Sequence, residues 1–363
     1  MPTTSLLHPR SRAAALLLGS LFAACSNSGG QTPQQVPTPP AEPRLGIWIS
    51  AEELAALPMT GAAWEHLREV ADTTPPRPDL SDQDQMTNVT VMAKALVYAR
   101  TGDASYRDEV VAACMAATET PLGRTLALGR ELAAYVIAAD LVHLDGAEDA
   151  AFRIWLREML TVNLRGRTLR STQERRPNNW GTHAGASRAA VALYLEDRAE
   201  LERSIQVFRG WLGDRQAYNE FRYGELSWQA DPHTPVGINP AGATKRGHSI
   251  DGVMPDDMRR GSPFRWPPRE TGYPWEALQG GLMHAEILHR AGFTDVWDWQ
   301  DRALLRAVQF LYGIGWAAHG DDEWQVWLIN HRYGTDYPTV ERARAGKNVG
   351  WTAWTHGPGR DRS

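Results

Sequence analysis

Two stretches of this chain carry groups able to do chemistry together. Asn178-Asn179-Trp180-Gly181-Thr182-His183 places paired carboxamides and an imidazole just before an apolar run. Further on, a segment from His248 through Asp251-Gly252 reaches Arg259-Arg260 and then Tyr273-Pro274-Trp275-Glu276. Carboxamide, imidazole, guanidinium and phenol are the groups needed to remove a weakly acidic C–H proton beside a carboxylate. That is the chemistry of cutting a uronic-acid polysaccharide by elimination. In a uronate the C5 proton is hard to remove because the neighbouring carboxylate is already anionic. Hydrogen bonds and positive charge on that carboxylate stabilise the enolate-like intermediate as oxyanion-hole donors do, at about 2.7–4 kcal/mol per donor.

On this reading Asn179 and an arginine, first of all Arg260, hold the carboxylate, with a histidine assisting. Tyr273 abstracts the proton or protonates the leaving O4, and a phenol beside a guanidinium loses its proton more readily. His183, one helical turn beyond Asn179, and His248 are the alternative bases. Each residue has a plainer explanation. Asn179 suits a helix N-cap, a lone His is usually structural, and Tyr273, preceding Pro274 at a helix start, could simply pack. Lys245-Arg246-Gly247-His248 lies in a polar, Gly-rich loop that faces either substrate or solvent, and His233 is a weaker candidate of the same kind.

Binding candidates surround these. Asn178, Arg130 and Tyr135 suit a cavity wall, although Arg130-Glu131 also reads as an ordinary surface pair. Arg265 and Arg269 precede Tyr273 by eight and four residues. Fifteen Trp is a high count, and Trp serves both core packing and stacking on flat faces. Trp228, Trp266, Trp275, Trp324 and Trp351 are the stacking candidates, Trp180 is a further substrate-binding candidate, and Lys347-Asn348-Val349-Gly350-Trp351 is placed to close a cleft.

The elements that position these groups are helical. Val89, Met92, Ala95, Leu96 and Ala99 keep the three- and four-residue spacing of one helical face. Thr101-Gly102-Asp103 stops that helix and starts another. Further helices are predicted over 126–142, 150–162, 184–195, 200–212, 275–291 and 297–314. Short connections such as Glu196-Asp197-Arg198 make neighbours antiparallel hairpins. Strand signals are nearly absent, and Asp251-Gly252 reads as a loop leading into a helix. No strict repeat period occurs, which disfavours the common solenoids. The expectation is an all-α fold, an α/α toroid built as an incomplete barrel of antiparallel helical hairpins. Long irregular segments at 214–272 and 316–356 would form its cleft.

At 363 residues the chain is long enough for a substantial core. A net charge of −5 and the lack of a basic block argue against nucleic acid, so an anionic substrate must be held by locally placed cations. Arg10 and Arg12 precede an apolar run ending in Leu21-Phe22-Ala23-Ala24-Cys25. This reads as a secretory signal, too short to span a bilayer, and its end resembles a bacterial lipobox. Cleavage before Cys25 and lipidation of that thiol are expected, with ordinary secretion as the alternative. The expected organisation is a signal peptide over 1–24, a Pro/Gly/Gln-rich tether over 25–43 and a catalytic domain over 44–363. That implies a bacterial cell-envelope protein, monomeric and attached to membrane only through lipid. Cys114, the second of two cysteines, has no disulfide partner and reads as an inert core residue.

The Asn-Asn-Trp-Gly run, Asp251-Gly-Val-Met-Pro-Asp-Asp-Met-Arg-Arg260 and Tyr273-Pro-Trp-Glu-Ala-Leu278 together resemble the alginate lyase family. Thr101-Gly102-Asp103 and Gly129-Arg130-Glu131-Leu-Ala-Ala-Tyr135 extend the resemblance over most of 85–356. It implies an α/α-toroid polysaccharide lyase that needs no cofactor and forms a C4–C5 unsaturated uronate end. Well-known members carry His directly after the paired Asn, where this chain has Trp180, and an Arg seven residues before the catalytic Tyr. These departures imply a side branch acting on alginate or a related polyuronate. Two rivals stand beside it. A glycoside hydrolase would need two carboxylates flanking a bond, drawn from Asp256-Asp257 or Asp321-Asp322-Glu323. A non-catalytic glycan-binding lipoprotein would keep the tryptophans and the tether. No HExxH or paired-Cys motif marks a metal site.

Overall fold

The computed structural model describes residues 46–358. Cys25, the signal peptide and the tether lie outside the described residues. Helices α1 (Ala51–Ala56) and α2 (Ala62–Ala71) lead into α3 (Thr87–Thr101), α4 (Ala104–Thr118), α5 (Thr125–Val142) and α6 (Gly146–Thr161). Then follow α7 (Leu169–Arg175), α8 (Asn179–Tyr194), α9 (Arg198–Leu212), the short α10 (Pro255–Met258), α11 (Tyr273–Arg290), α12 (Trp299–Gly313), α13 (Glu323–Tyr333) and α14 (Thr352–Thr355). Among the described residues the one sheet is a two-residue pairing of β1 (Thr244–Lys245) with β2 (His248–Ser249). The all-α expectation holds.

The turns follow from local chemistry. Gly102 ends α3 in the left-handed region at φ 74°, and the Asp103 carboxylate then accepts from the Ser105 N–H to cap α4. Asp197 caps α9 through the Glu200 N–H. These stops fold α3 on α4 and α8 on α9 as hairpins.

Helices α5, α8 and α11 are buried nearly all round, as helices at the centre of a domain must be. They run parallel. The Ser187 Oγ accepts from the Ala133 N–H at 3.1 Å, and one turn earlier a Cβ placed on Gly129 would sit 3.0 Å from the Ala184 nitrogen. A Cβ on Gly280 would overlap the backbone of Thr182 and His183, so glycine here is what lets α8 and α11 approach. Helix α13 continues the direction: Gln279 donates to Asp322 at its start, and Arg332 reaches Glu286 near its end. The N-termini of α5, α8, α11 and α13 therefore gather at one end, bringing four positive helix poles together.

One sequence expectation needs correcting. The segment 316–356 is not irregular throughout, because α13 crosses it and buries Trp324, Gln325, Val326, Leu328 and Ile329. Gln, Asn and His between its apolar positions blur the helical period. Cys114 is fully buried, and burial pushes its thiol up to about 12, which fits an inert core residue. No helix among the described residues is long and apolar enough to cross a membrane.

Candidate active site

The N-terminus of α8 divides the labour between its two asparagines. Asn178, not Asn179, is the cap: its Oδ1 accepts from the Trp180 N–H at 3.2 Å, and its Nδ2 donates to Asp256 at 2.7 Å. Asn179 is therefore the first helical residue. Its backbone N–H donates to Asp257 at 3.1 Å, while its carboxamide makes no hydrogen bond and its Oδ1 is buried without a partner. A buried amide left unbonded costs about 1–3 kcal/mol. Such a group is waiting for a partner.

From Asn179 contacts and one-turn helix spacings lead round to the same residue. The Asp257 backbone carbonyl, at the end of α10, accepts from the Arg260 N–H at 3.1 Å. The Arg260 guanidinium lies 3.8 Å from the centre of the Tyr273 ring. Glu276 follows one turn along α11 from Tyr273, and its Oε2 faces His183 Nε2 at 3.8 Å. His183 returns to Asn179 one turn back along α8. Carboxamide, guanidinium, phenol, carboxylate and imidazole thus fall into one circuit, in which the steps from Tyr273 to Glu276 and from His183 to Asn179 are one-turn helix spacings and the others are contacts.

Its electrostatics are set by burial and by Glu276. That carboxylate is ion-paired to Arg130 and lies 3.7 Å from Lys347. Burial works against its charge, yet His183, Arg130 and Lys347 outweigh burial and hold it well below the usual carboxylate range. Lys347 also bridges to Asp84 at 2.9 Å. His183 is wholly enclosed, and burial lowers its pKa, so the ring is neutral. Asp257 is pushed the other way: burial, reinforced by the neighbouring Asp256 charge, raises its carboxyl well above the ordinary value.

Several sequence candidates fall outside this circuit. Trp228 is fully buried and donates to the Ser262 carbonyl, and Trp275 is buried and donates to the Trp316 carbonyl, so neither presents a face for a sugar. Trp324 and Trp351 are buried as well. Tyr135 is fully buried too, its burial raising the phenol well above its usual range. Arg130 is no surface pair with Glu131, since its guanidinium is buried against Glu276. His248, on β2, stacks on the exposed Trp266 at 4.5 Å, and no contact joins it to Asn179, His183 or Tyr273. Arg265, Arg269 and His233 are exposed loop residues. Of the acids a hydrolase could use, Asp256 accepts from Arg259, Asn178 and the Gly224 N–H, and Asp322 from Gln279 and Gln325, while Asp257 keeps one buried oxygen without a partner.

Sequence reasoning missed Glu276, Asp84 and the arginines around Trp180. Glu276 stood beside Tyr273 in a quoted motif, and its one-turn spacing was the available signal. A cavity of about 210 Å³ lined by Arg215, Asp231, Asp301 and Arg306 shares no lining residue with the circuit.

A family model described as alginate lyase matches residues 77–220. The matched segment includes Arg130, the paired asparagines and His183 and ends before Arg260 and Tyr273. No curated protein matches the chain. The resemblance read from the sequence is thus borne out over residues 77–220, and the enzyme class it implies is a polysaccharide lyase.

Proposed function

We propose that this lyase cleaves a uronic-acid polysaccharide, alginate or a related polyuronate, by β-elimination at the circuit joining Asn179, Arg260, Tyr273, Glu276 and His183. One observation carries the reading: Asn179 holds an uncommitted carboxamide, and a few contacts away Arg260 lies over the Tyr273 ring. The Asn179 amide and the Arg260 guanidinium take the substrate carboxylate and stabilise the enolate-like intermediate. The Tyr273 oxygen removes the C5 proton, with the Arg260 guanidinium 3.8 Å from the centre of its ring. The C5–H electron pair becomes the C4–C5 double bond, the C4–O4 bond breaks, and the Tyr273 hydroxyl returns the proton it took to the leaving O4. His183 is buried and neutral, so it positions Glu276 and α11 rather than touching the sugar. Four helix N-termini add positive potential where an anion docks.

Replacing Tyr273 by Phe tests the reading. Turnover, followed by the ultraviolet absorbance of the unsaturated uronate, should fall at least about 100-fold while polymer binding persists. Undiminished turnover would sink it. We also propose a lipid anchor at Cys25, supported by the preceding Leu-Phe-Ala-Ala. Cys25→Ser should abolish labelling by radioactive palmitate, and labelling that persists refutes the anchor.

A further inference from the structure

Beyond the circuit, Trp180 is the most unusual surface feature. Its half-buried ring sits in the first turn of α8, and three guanidinium carbons approach its centre: Arg176 at 5.3 Å, Arg167 at 5.8 Å and Arg124 at 6.0 Å. They come from three places. Arg124 precedes α5, Arg167 lies between α6 and α7, and Arg176 ends α7. One Arg against a Trp is an ordinary cation–π contact needing no ligand. Three like charges on one ring repel one another, and packing alone does not call for them.

Counter-ions are missing as well. Arg124 donates to the neutral Gln83 side chain at 3.1 Å, while the Arg167 and Arg176 guanidiniums make no hydrogen bond or ion pair among the described residues. Arg124 is exposed and Arg167 and Arg176 are half-buried, whereas the enclosed arginines Arg130, Arg188, Arg290 and Arg332 each face a carboxylate. Arg176 lies within electrostatic reach of Arg167, Arg259 and Arg260; burial, then Arg167, depress its pKa, with Asp256 the opposing charge. Asp256 is itself taken up by Arg259 and Asn178.

We infer that Arg124, Arg167 and Arg176 around Trp180 form an anion track continuous with the catalytic circuit, taking the carboxylates of polyuronate residues flanking the one cleaved. The track runs from Tyr273 over Arg260 to Arg176 and on to Trp180. It rests on the polyuronate reading above. A polyuronate carries one carboxylate per sugar, and the circuit accounts for only one. Its neighbours need cations, and a molecule with net charge −5 must supply them locally. The residue that stands where related enzymes carry an imidazole is, in this chain, the centre of that track.

The test uses the full chain with the double variant Arg167→Gln/Arg176→Gln, and Arg167→Lys/Arg176→Lys as the charge-keeping control. Circular dichroism and thermal midpoints confirm that both are folded. On alginate or polyglucuronate the KM of the Gln variant should rise about tenfold, equivalent to roughly 1.4 kcal/mol. Its KM should also depend less steeply on salt, while the KM for a trisaccharide of the same sugar changes by less than about twofold. The Lys variant should recover most of the polymer affinity. An unchanged polymer KM and salt dependence overturns the track, and so does an equal loss on the trisaccharide. Retention on immobilised polymer separates this idea from the lyase reading. If no polyuronate is turned over, yet the parent is retained and the Gln variant elutes at lower salt, the track stands and elimination falls.

Discussion

Glu276→Gln attacks the charge that organises the site. The Arg130 side chain is 5% exposed and Glu276 18% exposed, so their ion pair is largely removed from water. Removing one member of a buried pair costs about 3–5 kcal/mol, mostly because the other charge is stranded. Here Arg130 keeps the Gln83 carbonyl at 3.1 Å and the exposed Asp84 at 3.8 Å. Lys347 keeps Asp84 at 2.9 Å. The low end of the range therefore applies, about 3 kcal/mol, which for a domain of this size lowers Tm by roughly 6 °C. Urea unfolding followed by circular dichroism gives the number, and Arg130→Met closes a double-mutant cycle. Without either charge no ion is stranded, so the double variant should regain most of the loss. If Glu276→Gln lies within about 1 kcal/mol of the parent, or if the two losses simply add, the picture of one coupled cluster is wrong.

Two further substitutions probe the same end of the molecule. Asn179→Ala removes only the uncommitted carboxamide, since the bond to Asp257 comes from the backbone; kcat should fall about 100- to 1000-fold with little change in stability. A loss of fold in place of turnover would make Asn179 structural. Glu131 is fully buried with neither carboxylate oxygen bonded. Burial, helped by Asp82 and Asp79, raises its pKa from 4.5 to about 9. The folded state then holds a proton that the unfolded chain releases. This contribution is complete below the unfolded value and is lost as pH rises through the folded one, at roughly 1.4 kcal/mol per unit. Glu131→Gln abolishes that slope and should be more stable than the parent at alkaline pH in urea titrations; parallel stability curves would refute it.

The helical frame was legible because its signals are local. The spacing from Val89 to Ala99 and the stop at Thr101-Gly102-Asp103 depend on neighbours in the chain. The predicted helix over 126–142 is observed as Thr125–Val142, and that over 200–212 as Arg198–Leu212. Helix α13 was missed because its polar residues are taken up by partners: Gln325 bonds to Asp322 and to the distant Trp275 carbonyl, and Asn330 to the Tyr337 carbonyl. Those partners are invisible to a periodicity count. The tryptophans failed for the same reason. Trp228 and Trp266 look alike in a loop, and only packing decides that the first is enclosed and the second exposed.

The site shows where residue type stops being informative. Asn178 and Asn179 are identical side chains one position apart, yet one is consumed as cap and Asp256 partner while the other is left with an unbonded amide. The helix decides this, because the residue just before its first turn has its side chain directed at the exposed N–H groups. Moving the start of α8 by one residue would exchange their roles. His183 follows the same logic. One turn into α8, beneath Gly280 of α11, it has no route to solvent. Trp180 comes two residues after the cap and remains at the rim. A histidine at that rim position would be accessible, whereas the one this chain has is locked inside, its Nε2 3.8 Å from Glu276. On the proposed mechanism the acid–base work on the sugar therefore falls to Tyr273, while the rim position holds Trp180 with three guanidiniums around it.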